Sequence, residues 1–119
     1  MSDMMKAVVM RGAGGPEVLE LREVPRPDPG PGEVRVRVAS SGLNRADLLQ
    51  RMGRYPAPPG SPPDILGLEL AGTVDSLGDR VGGLAVGEPV MGILGGGGYA
   101  EYALSPSETL VPAPPGMPL

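Results

Sequence analysis

The pattern of hydrophobic and polar positions predicts several short strands and one short helix. The clearest strand is 33–39, where three valines alternate with a glutamate and two arginines, so that one face is apolar and the other is charged. Residues 44–52 change to a helical period, with Asn44 as the N-cap and Gly53 as the stop. Shorter apolar or alternating runs predict the remaining strands, at 6–10, 18–24, 65–74, 89–93, 99–104 and 109–111.

Glycine and proline mark the corners between these elements. The chain has 119 residues with 20 Gly and 16 Pro, which fall between the apolar runs and show no fixed period. Segments 25–32 and 55–63 are rich in proline, so we expect connecting loops there. Gly67 and Gly72 interrupt an apolar strand, which indicates a bend or a close approach of another backbone. The fold class predicted from these elements is mainly β, a compact barrel-like fold of short strands.

The composition excludes several kinds of chemistry. The sequence has no Cys and no His, and protein zinc sites are built mainly from these two residues, so we expect no bound zinc. The same absence removes disulfides, thiolate nucleophiles and imidazole acid–base catalysis. The net charge of −4 is mild and the basic residues are dispersed, so nucleic acid is not an expected partner. Without a long apolar run or a signal peptide, we expect no membrane partner and a cytoplasmic location.

Four features carry candidate chemistry, and each has an ordinary structural alternative. Residues 95–100 satisfy G-x-G-x-x-A, but a strand-like run follows them, so a tight hairpin corner is favoured over dinucleotide binding. Asn44 either caps the helix or bonds a ligand hydroxyl, and local context favours capping. Glu69 either faces solvent or is buried with a partner, and solvent is favoured. Tyr55 is either a packing plug or a proton donor.

Three segments in order make the chain recognisable: 40–47 (SSGLNRAD), 53–56 (GRYP) and 65–72 (ILGLELAG). They resemble the medium-chain dehydrogenase/reductases over essentially the whole chain, and among these the zinc-free NAD(P)H:quinone oxidoreductases related to zeta-crystallin. The resemblance implies that residues 1–111 form a GroES-like domain, a partly open β-barrel with one or more short helices. Residues 112–119 are then a linker toward a Rossmann domain.

The zinc-dependent branch of that superfamily places a Cys before the short helix and a His before the glutamate that follows the long loop. Here Asn44 stands in the region of the Cys, and Leu68 precedes Glu69. The resemblance and the composition thus agree on a zinc-free protein, in which Glu69 has a structural or pairing role.

The resemblance further implies hydride transfer from NADPH to a small quinone or another activated enone. Asn44 would reach the nicotinamide ribose as a cofactor-binding residue, Tyr55 would line the acceptor cleft as a catalytic residue, and Arg45 and Asp47 would support the helix. The Rossmann domain, expected to follow Leu119, and the family's C-terminal segment are missing. We therefore expect the isolated chain to be inactive and to expose apolar surface that favours self-association, and a homodimer is among the expected assemblies.

Two alternatives remain open. The chain could be a stand-alone GroES-like binding or co-chaperone module, for which 55–63 is the only candidate partner-binding loop. It could also be a subunit that pairs with a separately encoded nucleotide-binding chain.

Overall fold

The computed structural model describes residues 3–119, which contain seven strands and one α-helix. The strands are β1 (Met4–Met10), β2 (Leu19–Pro25), β3 (Glu33–Ser41), β4 (Glu69–Leu77), β5 (Pro89–Ile93), β6 (Tyr102–Pro106) and β7 (Leu110–Pro112), and helix α1 is Arg45–Arg51. β1 and β2 form a two-stranded antiparallel sheet, and the others form a five-stranded sheet in the order β6-β3-β4-β5-β7. The predicted class is confirmed: the fold is mainly β, with open sheets and one short α-helix.

The alternation along β3 builds the main core. Val34 and Val36 are fully buried, while Arg35 on the opposite face donates a hydrogen bond to Asp75 at 2.8 Å. Each buried valine contributes about 1.5–3 kcal/mol relative to an exposed one. The valines pack in one cluster with apolar side chains of neighbouring strands, chiefly Leu70, Val74, Val90, Ala103 and Leu110.

Two connecting segments, 64–67 and 97–101, join the two sheets. The Met10 N–H donates to the Asp64 carbonyl at 2.7 Å, and the Val8 N–H donates to the Tyr99 carbonyl at 2.9 Å. The two segments are also joined to each other by a hydrogen bond, which the Gly97 N–H donates to the Ile65 carbonyl at 2.8 Å. A second core lies where β1 meets them, formed by Met5, Ala7, Val9 and Ile65.

The bounds of β1, β2 and β3 differ from the predicted ones by one or two residues, and those of β4, β6 and β7 are wrong as well. The strand predicted at 65–74 begins only at Glu69 and continues to Leu77, because Gly67 has φ +114° and breaks the extended path. The strand predicted at 99–104 is shifted toward the C-terminus and forms β6. The final strand, β7, extends to Pro112, one position beyond the predicted 109–111.

The hairpin predicted for 95–98 is also wrong, since β3 and β4 separate β5 from β6 in the sheet. The glycines instead lie in the connection that runs from β5 past β4 and β3 to β6, and they pack against the proline-rich loop 55–63. A Cβ at Gly95 would lie 2.6 Å from Pro58 Cγ. No α-helix follows these glycines in residues 99–119, so the dinucleotide alternative is not favoured.

Across residues 3–119, the structure holds no helix with the length and apolar character that a membrane crossing requires.

Candidate functional site

The candidate site lies at the junction where β3 ends and α1 begins. Asn44 is the N-cap residue with an extended backbone, as predicted, and Gly53 follows the helix with φ +80°. The Asp47 carboxylate accepts a hydrogen bond from the Asn44 backbone N–H at 3.0 Å, in a capping-box arrangement. The predicted support of the helix by Asp47 is thereby confirmed.

The Asn44 side chain has a donor that the helix cap does not use. Its Nδ2 atom is buried and has no hydrogen-bond partner within the described residues. An unpartnered buried donor costs about 1–3 kcal/mol, so an acceptor atom of a ligand would be favourable there. Asn44 also lines a cavity of about 450 Å³. The capping and ligand-binding alternatives for Asn44 are therefore compatible.

Tyr99 reaches the same junction from a distant part of the chain, and the sequence did not single it out. Its hydroxyl donates a hydrogen bond to the Asp47 carboxylate and lies 3.3 Å from the Gly42 carbonyl oxygen. The Tyr99 N–H donates to the Leu66 carbonyl at 2.9 Å, which holds the residue in place. The one available signal was scarcity, because the sequence has only three tyrosines and no Phe or Trp.

The surroundings of Tyr99 keep its hydroxyl protonated. Burial raises the pKa of Tyr99 above its ordinary value, and the hydrogen bond to Asp47 and the negative charges of Asp47 and Glu69 raise it further. The phenol therefore serves as a hydrogen-bond donor to Asp47 and not as a source of protons.

Tyr99→Phe should remove a contribution to stability that the wild type keeps at neutral pH and loses in strongly alkaline solution. In the unfolded chain the phenol ionises near about pH 10, whereas the folded protein retains the proton at higher pH. The folded state then binds more protons, so this contribution is complete below about pH 10 and declines as the pH rises further. The measurement is the free energy of unfolding in urea. We expect that of the wild type to exceed that of the variant by a constant difference from about pH 7 to 9, and by a shrinking difference above about pH 10.

The matched control is Tyr102→Phe, which removes a hydroxyl from a ring that stacks on Arg26 at 4.1 Å. A margin between wild type and the Tyr99 variant that stays constant at high pH would contradict the assigned environment of Tyr99.

Glu69 lies on the other side of the junction and is exposed, as the sequence favoured. Its carboxylate occupies the space that a Cβ at Gly42 would need. Glu69 lines a second cavity of about 780 Å³ together with Ser41, Gly42 and Ile93. The Ser41 hydroxyl donates to the Gly98 carbonyl at 2.5 Å, which ties the end of β3 to the glycine-rich segment. The junction is thus flanked by two cavities.

Tyr55 lies apart from this cluster. Its side chain is 47% exposed in the proline-rich loop, and it lines neither of the two cavities. Its assignment to the acceptor cleft stays a prediction.

Exposed apolar side chains also border the junction, notably Leu43 at 89% and Ile93 at 75% exposure. Within residues 3–119, no three Cys, His, Asp or Glu side chains gather as a metal site would require.

Known proteins are similar to this chain in sequence. Residues 30–115 match the family model described as the alcohol dehydrogenase GroES-like domain. A quinone oxidoreductase of Pseudomonas aeruginosa is 43% identical over 115 residues, which cover 96% of this chain and 35% of that protein. A 2-haloacrylate reductase of a Burkholderia species is 37% identical over 113 residues, which cover 93% of this chain and 34% of the reductase.

Solved structures are similar to this chain in three dimensions. The crystal structure of the human synaptic vesicle membrane protein VAT-1 homolog-like protein matches with a TM-score of 0.89 at 37% identity, over 97% of this chain and 37% of that one. The chain spans about a third of the length of the relatives it matches. The chain therefore belongs to the alcohol dehydrogenase GroES-like domain family, as found in quinone oxidoreductases of the medium-chain dehydrogenase/reductase superfamily.

Proposed function

We propose that this chain is the acceptor-side domain of a cytoplasmic, NADPH-dependent oxidoreductase that reduces a small quinone or another activated enone without a bound metal. The proposal rests above all on the β3–α1 junction, where the buried Nδ2 of Asn44 has no partner within the described residues and two cavities adjoin. The names of two relatives, quinone oxidoreductase and 2-haloacrylate reductase, support these two classes of acceptor.

The residues of this chain would bind and orient the reactants. NADPH, when bound, supplies a hydride from its nicotinamide ring, so no nucleophile from the protein is needed. The Asn44 amide would donate a hydrogen bond to an oxygen of the nicotinamide ribose, because its Nδ2 is the unpartnered donor at the junction. Tyr55 would border the acceptor. Holding both partners in near-attack geometry and excluding water is the expected source of rate enhancement.

Reduction of a quinone to a hydroquinone requires one hydride and one proton. Tyr99 is a poor proton source, because its surroundings raise its pKa. No imidazole or thiol is present in the sequence to supply the proton. We therefore propose that this domain supplies no proton of its own, and that the proton reaches the acceptor after hydride transfer from solvent or from another part of the complete protein.

Most of the cofactor would be held by a nucleotide-binding domain. Within residues 3–119 the glycine-rich turn after β1 leads only into a three-residue 3-10 helix (Pro16–Val18). No strand there is followed by a glycine-rich turn and an α-helix, which is the unit that binds the pyrophosphate of NADPH. That domain would lie further along the same polypeptide or in a separate chain. A homodimer joined through it belongs to the same proposal.

The proposal is tested by NADPH oxidation with a simple quinone or enone acceptor, in protein expressed from the complete natural reading frame. After dialysis against a metal chelator, we expect unchanged activity and no stimulation by added zinc. Loss on chelation with recovery in zinc would contradict the metal-free mechanism. Lack of turnover with every acceptor would contradict the oxidoreductase assignment.

A further inference from the structure

We propose that Asp47 and Tyr99 are positioning residues that act through Asn44 and fix the direction of its side-chain amide. This inference rests on the proposed function, in which that amide contacts the cofactor. Neither Asp47 nor Tyr99 needs to touch a reactant.

The Asp47 carboxylate holds two groups at once. Its Oδ2 atom accepts hydrogen bonds from the Asn44 backbone N–H, at 3.0 Å, and from the Tyr99 hydroxyl. Asp47 is only 6% exposed, so water competes little for these bonds. Hydrogen bonds to a carboxylate are shorter and stronger than neutral ones. The Asn44 backbone therefore cannot rotate without breaking a strong, shielded bond.

The Tyr99 hydroxyl lies near residues on both sides of Asn44. It lies 3.3 Å from the carbonyl oxygen of Gly42, on the strand side, and it donates to Asp47 on the helix side. Asn44 lies between these two points in the sequence. The phenol thus bonds the helix end of the short segment that carries the amide, and its oxygen lies close to the strand end.

Two buried atoms at the junction argue for more than a structural cap. Asn44 Nδ2 and Asp47 Oδ1 both lack a hydrogen-bond partner within the part of the chain described. Buried polar groups are nearly always satisfied in native proteins, so each exception needs a reason. The cap uses the Asn44 side chain only as an acceptor, so its Nδ2 is left as a donor beside the cavity that Asn44 lines, where an acceptor atom of a ligand would recover the cost of leaving it unpaired.

A double-mutant cycle in the complete protein tests the inference. Tyr99→Phe removes one hydroxyl and should lower kcat for NADPH-dependent quinone reduction about tenfold, since a small displacement of a positioning group costs this much or more. The KM for NADPH should change less than about twofold. In an Asn44→Ala background, the same substitution should alter kcat by less than about twofold, because the group to be positioned is gone.

An equal loss of kcat in both backgrounds would overturn the inference, and so would an unchanged kcat when Tyr99→Phe is made in the protein that retains Asn44. Tyr102→Phe serves as the control and should leave kcat unchanged, because its ring stacks on Arg26 and lines neither of the two cavities at the junction.

The Asn44 side-chain amide also gives a readout by NMR that does not depend on activity. We expect the order parameter of this amide to lie close to that of rigid backbone, about 0.85, in the wild type and to fall below about 0.6 in Tyr99→Phe. If the wild type is inactive but its amide loosens in the variant, the proposed function fails and the positioning role survives. If the amide is equally rigid in both proteins, the positioning role fails even for an active enzyme.

Discussion

Gly67→Ala should destabilise the chain by more than about 3 kcal/mol, because it combines backbone strain with a clash. Gly67 has φ +114°, a conformation that L residues rarely adopt, and its added Cβ would lie 2.6 Å from both Gly98 Cα and Tyr99 N. These are backbone atoms and cannot rotate away as a side-chain tip could. Relief of the clash requires segment 97–99 to move, which displaces the Tyr99 hydroxyl from Asp47. Urea or guanidinium unfolding measures the loss.

Two other glycines separate the contributions to this effect. Gly82 has open space around it and no positive φ, so Gly82→Ala should be neutral within about 0.5 kcal/mol. Gly83 has φ +79° with nothing within 4 Å of the added Cβ, so Gly83→Ala should cost about 1–2 kcal/mol from strain alone. If Gly67→Ala costs no more than Gly83→Ala, the close packing of Gly67 on the Gly98–Tyr99 backbone is wrong.

Gly72→Ala is expected to cost about 2–4 kcal/mol by forcing apart the two central strands. Gly72 of β4 lies opposite Val38 of β3, next to an irregularity in their register. An added Cβ would overlap the Arg37 carbonyl group and lie 2.8 Å from Val36 Cγ1. The carbonyl is part of the strand backbone, and Val36 is fully buried, so neither can yield without disturbing the core.

Gly92→Ala in β5 is the matched control for the strand substitution. Its Cβ would meet Leu110 Cδ2 at 2.9 Å and the Thr109 carbonyl oxygen at 3.0 Å, and the leucine tip can rotate. We expect this variant to cost about 1 kcal/mol, clearly less than Gly72→Ala. Equal unfolding midpoints for the two variants would contradict the close approach of β3 and β4 at Gly72.

Local features of the fold could be predicted from the sequence because their causes are local. Alternation of valine and charge along β3 directly determines which face is buried, and the structure leaves Val34 and Val36 fully buried. The helix start at Asn44 and its stop at Gly53 follow from capping chemistry that involves neighbouring residues only. The glycines at 67 and 72 were expected to mark close backbone contacts, and both do.

The remaining features depend on contacts that the sequence does not encode locally. Tyr99 and Asp47 are 52 positions apart, and they meet only because segment 97–99 bonds to segment 65–67. The same contact explains the misplaced boundary of β4, since an apolar run continues through Gly67 although the backbone turns there. Residues 95–98 have the local pattern of a hairpin turn, because they are glycines between two strand-like runs. They do not form one, since β3 and β4 lie between β5 and β6, and this strand order is a property of the whole sheet.

The most direct test of the central claim compares NADPH oxidation by this 119-residue chain and by the protein from the complete natural reading frame, with the same simple quinone. If this chain is the acceptor-side domain, the complete protein will oxidise NADPH at a rate that depends on the quinone, and the chain alone will be nearly inactive. Addition of a separately encoded nucleotide-binding chain will restore activity only if the domain is supplied in that way. Equal rates for the chain and the complete protein would contradict the account.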